Sequence, residues 1–158
     1  MPVHFVVGDP LLTQAQTLAI AHNAKGRTET GILDMAVLRR YPAALSVYQR
    51  RCRQQKHAAG TVWLWQDNRP RLLILTVRET ATGITRLRYV QAVLMTLARD
   101  YALYGITSLA IAPIGNHYEK SEILKLYPIW LGKTKLPVFV YTEYAPNIAA
   151  EDPFKNNA

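Results

Sequence analysis

The chain has 158 residues, 49% of them apolar, and a formal net charge of +8. That length suits one domain with a core that needs no disulfide or metal to hold it, and the apolar content excludes wholesale disorder. The single cysteine, Cys52, excludes a disulfide framework and a cysteine-based zinc site and suits a reducing, cytoplasmic setting.

Val3–Val7 reads as a buried strand. Gly8 lets the backbone turn without a Cβ clash, and Asp9 follows at once. A carboxylate at a strand end can accept a hydrogen bond from a ligand, since open α/β sheets bind ligands there, or it can cap the next helix. After Pro10, Leu11–Gln16 reads as a short helix or turn, and Leu18–His22 as a second buried strand ending at Asn23. Ala24 to Thr30 is a polar loop. Gly31 opens a helix to Arg40, and Pro42 starts another, with Leu45, Tyr48 and Cys52 on its apolar side.

Thr61–Trp65 and Leu72–Val77 flank the turn-rich Asp67–Pro70 and read as a hairpin. Trp63 and Trp65 share one strand face and read as packing residues. Arg86–Tyr104 has the clearest helical stripe, with Leu87, Val90, Leu94, Leu97 and Tyr101 at helical spacing, Thr85 as N-cap and Gly105 as stop. Ser108–Ala112 is a buried strand running into Pro113–Asn116. Glu119–Leu131 is a helix weakened by Pro128, and Pro137–Thr142 is the last strand. Residues 1–144 thus form one domain, and residues 145–158 read as a mobile tail. Strands separated by amphipathic helices predict an α/β fold: a three-layer α/β/α sandwich with a mixed, largely parallel central sheet.

The charge is uneven. No acidic residue lies between Asp34 and Asp67, an interval that holds Arg39, Arg40, Arg50, Arg51, Arg53 and Lys56. Such a field attracts polyanions such as nucleic acid; a solvated helix face is the plainer reading. No apolar run approaches membrane-spanning length, the first residues do not read as a signal peptide, and no His, Cys or carboxylate spacing suggests a metal site.

Over about residues 3–142 the order and spacing of short motifs resemble a macro domain, the ADP-ribose-binding α/β/α module. The branch it resembles most holds the terminal ADP-ribose protein glycohydrolases and the DNA ADP-ribosyl glycohydrolase antitoxins. Val3–Val7 with Gly8-Asp9 resembles the family's first strand, whose Asp holds the adenine amino group. Ile20–Ala24 is similar to the second strand, where Asn23 would face the distal ribose. Thr30-Gly31-Ile32 resembles the end of the first phosphate loop, and Arg39-Arg40-Tyr41-Pro42 the basic-aromatic end of the helix that follows. Leu109–Gly115, continuing through Asn116, His117 and Tyr118, resembles the strand and second phosphate loop that include Ile114. Val138–Thr142 resembles the final strand, with Tyr141 near the adenosine. The resemblance implies binding of ADP-ribose or an ADP-ribosylated protein or nucleic acid, with no cofactor. A pyrophosphate held by backbone N–H groups at Gly31 and Gly115 fits that layout.

The chain departs from the hydrolytic branch at its reactive positions. A gap-free count places Arg78 where that branch has a nucleophilic lysine. Arginine stays protonated and cannot act as an amine nucleophile; it can bind a phosphate or a carboxylate, or simply face solvent. The branch's acid falls nearest Glu119, and less well Glu122, either of which also suits a first helical turn by its charge. The first loop, Lys25–Gly31, carries Glu29 where glycines are expected, and His117 stands where the second loop has another glycine. His117 reads as a ligand contact, a gate or a surface residue. These departures point to binding without efficient hydrolysis. The alternatives are a basic interaction module that no longer binds ADP-ribose and a hydrolase with altered chemistry.

Overall fold

The computed structural model describes residues 3–150. The elements in chain order are β1 (Val3–Gly8), β2 (Thr17–Asn23), α1 (Ile32–Arg40), α2 (Pro42–Arg53), β3 (Val62–Trp65), β4 (Arg71–Arg78), α3 (Leu87–Asp100), β5 (Leu109–Ile111), α4 (Lys120–Leu131) and β6 (Val138–Tyr144). A 3-10 turn at Pro10–Leu12 links β1 to β2. The strands form one six-stranded sheet in the order β1-β6-β5-β2-β4-β3. Strand β3 pairs antiparallel with β4, and every other neighbouring pair is parallel. This is the mixed, largely parallel sheet expected from the sequence.

Alternation along the strands sorts the core into two layers. On one face Ala19, Leu73, Leu75 and Ile111 meet Leu94 of α3 and Tyr127 of α4. On the other, Leu18, Ile20, Leu72 and Ile74 meet Val37 of α1 and Tyr48 of α2. A fully buried Leu or Ile contributes about 1.5–3 kcal/mol. Leu18, Leu72, Leu73, Ile74 and Leu75 are all fully buried, so β2 and β4 form the rigid centre of the sheet.

Several elements differ from the sequence expectation. The regular helix α3 stops at Asp100, and residues 101–105 continue as turns that end at Gly105, at φ +69°. Thr85 does not cap α3. Its Oγ1 accepts from Arg78 Nε (3.3 Å) and its N–H donates to Glu119 Oε2 (3.0 Å), so Arg86 takes the N-cap position. Leu87 is 41% exposed, because the stripe of α3 meets the core only from Val90 onward. In α2 the buried row is Ala44, Tyr48 and Cys52, and Leu45 flanks it half-buried.

The chain after β6 also departs from the expected tail. The Ala145 N–H donates to Gly8 O (2.9 Å), the Asp9 N–H donates to Ile148 O (2.7 Å), and Ala150 is buried. A Cβ on Gly8 would lie 2.9 Å from Ala150 N, so this glycine admits the returning chain. Residues 151–158, the rest of that tail, lie outside the described residues.

Candidate functional site

The parallel strands deliver their C-terminal ends to one edge of the sheet, where open α/β folds place ligands. A groove of about 310 Å³ opens there. Its floor includes Ala21 at the end of β2 and Ala112 just past β5, both small. One wall is Gly31 and Asp34 at the start of α1; the other is Pro113 and Gly115. Arg78 from β4 and Tyr144 from β6 line it from opposite sides of that floor.

The first loop is held by side chains. Asn23, fully buried, donates from Nδ2 to Arg27 O (2.9 Å) and Glu29 Oε1 (3.0 Å), and its Oδ1 accepts from the Arg27 N–H (3.2 Å). Its amide is therefore committed to the loop in this structure. Glu29 also pairs with Arg78, the two side chains being only 9% and 15% exposed. The Glu29 carboxylate, which would repel a pyrophosphate if it pointed into the groove, is thus paired with a cation at the base of the loop. Tyr48 anchors the same corner, its hydroxyl bonding Asn23 O (3.0 Å) and Thr76 Oγ1 (2.7 Å). Burial raises the Tyr48 pKa well above its ordinary value, which keeps the phenol neutral. Burial, with the Glu29 charge beside it, also raises the Asp34 carboxyl.

The second loop is held by one carboxylate. Glu119 Oε1 accepts from the Asn116 N–H (2.7 Å) and Oε2 from the Thr85 N–H (3.0 Å), so it ties the loop to the entrance of α3. Gly115 sits at φ +84°, and a Cβ there would approach Ile123 Cδ1 to 2.7 Å. Asn116 Oδ1 accepts from the N–H groups of Tyr118 and Glu119. His117 and Tyr118 are exposed; His117 lines not the groove itself but an adjoining cleft of about 270 Å³ that shares Pro113, Gly115 and Tyr144 with it.

The remaining sequence candidates fall as follows. Asp9 is buried, and each of its oxygens accepts one backbone N–H, from Leu11 (3.0 Å) and from Asn147 (2.9 Å). It therefore acts as a cap in this structure. It also lies near Tyr144, whose hydroxyl pKa is raised by burial and then by the Asp9 charge. Gly31 and Ile32 line the groove, with Ile32 76% exposed on its rim, and Thr30 is exposed beside them. Ile114 and Tyr141 are buried and line the cleft behind the second loop. Tyr144 is the aromatic that reaches the groove. The sequence reading missed it because β6 runs two residues past Thr142. Ile20, Asp34, Val37 and Ala112 were missed too, since each reads in sequence as ordinary core or helix.

Comparison with solved structures gives the fold its name. The macrodomain of Thermus aquaticus DarG aligns with a TM-score of 0.76 and 19% identity, over 91% of this chain and 98% of that one. The chain has the macrodomain fold. Thermosipho africanus DarTG in complex with ADP-ribose aligns with a TM-score of 0.80 at 20% identity, over 93% of this chain but 42% of that longer one. A Trypanosoma brucei macrodomain in complex with ADP-ribose gives 0.63 at 14% identity, over 90% of this chain and 63% of the other. No protein-family model and no curated protein matches the sequence. Among the described residues no helix is long and apolar enough to cross a membrane, and no group of three or more His, Cys, Asp or Glu is placed to hold a metal ion.

The basic interval of the chain is less free than its sequence suggests. Arg40 donates to Arg69 O (2.6 Å) and stacks on Tyr41. Arg51 donates to His57 Nε2 (2.9 Å) and lies over Trp63. Arg39, Arg50, Arg53 and Lys56 stay exposed.

Proposed function

We propose that this macrodomain binds ADP-ribose or an ADP-ribosylated target in the groove between Gly31 and Gly115, without efficient hydrolysis. The observation that carries the reading is the groove itself: small floor residues at the strand ends, a glycine and a helix N-terminus on one wall, a second glycine on the other, and Arg78 projecting from β4. A helix N-terminus and close backbone approach suit a pyrophosphate. Two solved macrodomain-fold neighbours are complexes with ADP-ribose. The adenosine end lies toward Tyr144 and Asp9, and the distal ribose toward Arg78. Weak chemistry follows from the residues at that end. Arg78 keeps its proton, and Glu119 has both oxygens engaged by backbone N–H groups.

Isothermal titration calorimetry with ADP-ribose tests the binding. A saturable heat is expected from the native chain and a strong loss from Gly31→Val. Gly31 has an extended backbone, and a Cβ there meets only the Asp34 carboxylate, so the variant should fold. Folded native protein that gives no heat at about 1 mM ADP-ribose, a Kd range worth only about 4 kcal/mol, would remove the proposal. Release of ADP-ribose from modified protein or DNA, abolished by Glu119→Gln, would restore the hydrolase reading.

A second reading rests on Arg39, Arg50, Arg53 and Lys56, which stay exposed with no acid between Asp34 and Asp67 to offset them. A nucleic-acid contact there would weaken steeply as salt rises in a mobility-shift titration.

A further inference from the structure

Beside the first loop an open pocket of about 140 Å³ lies between that loop and helices α1 and α2. It touches the groove through Ile20, Asp34 and Val37, which line both. Its volume is close to that of a cavity that admits one benzene ring. Ile20, Val37, Pro42 and Leu45 give it apolar walls, and polar side chains come in from the loop and from α2.

Some of those polar groups have no protein partner among the described residues and are free to meet a ligand. His22, 5% exposed, lines the cavity. Its Nδ1 accepts from the Asn23 N–H (2.8 Å), so the neutral ring carries its proton on Nε2, which has no partner among the described residues. Burial lowers the His22 pKa and keeps the ring in that neutral form. Glu29 spends Oε1 on Asn23 and Arg78 and leaves Oε2 over. The side chains of Ser46 and Gln49 make no hydrogen bond among the described residues, and both line the cavity.

We propose that this cavity is a binding site for a flat, six-membered ring carrying a primary carboxamide. The ring fills the apolar part, the carbonyl accepts from His22 Nε2, and the NH2 donates to the Glu29 and Asp34 carboxylates. The lining holds no Lys or Arg to attract an anion, and a carboxamide supplies both an acceptor for the His22 N–H and donors for the carboxylates. Water alone leaves the apolar walls without partners. The site shares Asp34 with the groove, but the proposal does not rest on what the groove binds.

The test is a proton–nitrogen NMR titration of the full chain with benzamide, with benzoate as the charge control. Benzamide is expected to shift the amides of residues 22, 28–29 and 45–49 with a Kd on the order of 1 mM. Benzoate at the same concentration is expected to shift none of them. Ser46→Tyr, at an exposed position on α2, should keep a folded spectrum and lose the benzamide shifts. No response to benzamide, an equal response to benzoate, or shifts confined to Gly31 and residues 112–116 would each overturn the proposal. ADP-ribose titrated into the same samples reports on the groove separately.

Discussion

The two loops that wall the groove have the same plan and opposite construction. Each leaves the C-terminal end of a strand, carries a glycine and leads into a helix. The first, from Asn23 to Gly31, is fastened by a side-chain network in which a carboxylate is buried against an arginine. The second, from Pro113 to Glu119, is fastened by a carboxylate that accepts backbone N–H groups. A charge pair in a low-dielectric site depends on both members being present, because either one alone is an uncompensated charge. A carboxylate on two N–H groups fixes backbone geometry instead, and the glycine beside it takes up the conformational demand. The first wall should therefore fail by losing a charge partner, and the second by gaining a side chain.

The largest expected effect follows from that contrast. Arg78→Ala leaves Glu29 buried without its cation and should cost about 3 kcal/mol of stability. Adding Glu29→Gln should recover more than half of that loss, because the orphaned charge is then gone. Urea unfolding of the two single variants and the double variant measures the coupling. Simple additivity would mean that the pair is a surface feature and that the first wall is held by Asn23 alone.

On the second wall Gly115→Ala should cost about 2 kcal/mol, since it forces an L-residue to positive φ and drives a Cβ against Ile123. The matched change Gly31→Ala should cost well under half as much, because Gly31 has an extended backbone. Equal losses would show that the two glycines serve the same purpose. A smaller effect is expected from Glu119→Gln, which keeps one acceptor but loses the charge on two N–H bonds, for about 1 kcal/mol. The sharper readout there is hydrogen exchange: the Asn116 and Thr85 amides should both speed up, and the Asn23 corner should not.

The sequence made the scaffold legible because its signals are local. Period-two alternation in β2 and β4 and the stripe from Val90 to Leu97 are each visible within one element. The groove's glycines were legible for the same reason. What stayed hidden is the pairing of groups far apart in the chain. Nothing in the local sequence says that Glu29 meets Arg78 49 residues later, or that Glu119 reaches back 34 residues to Thr85. Those two long-range bonds are also what changed the reading of Glu29, Thr85 and Glu119. Asp9 illustrates the converse: its short-range bond to Leu11 is the cap a local reading allows, and its bond to Asn147 is not.

The smallest effect separates the walls by pH. His22 sits at the base of the first loop, and burial holds its pKa below the ordinary 6.5. Its Nδ1 accepts the Asn23 N–H, a bond that a protonated ring cannot accept. A folded pKa below the unfolded one means that the unfolded chain takes up the proton first. The stabilisation is therefore complete above the ordinary value and is lost as pH falls through it towards the lowered one. Hydrogen exchange of the amides around Asn23 should accelerate, beyond its intrinsic pH dependence, as pH falls below about 6.5. Exchange at Asn116 should stay close to the intrinsic dependence over the same range, since the hydrogen bonds that hold the second wall come from Glu119 and Asn116, and among the described residues His117 in that loop contacts only the Tyr118 ring. His22→Gln, which can still accept at that position, should flatten the first response. If both loops loosen together in the native chain, they share one anchor and the contrast between charge pair and backbone clamp is wrong.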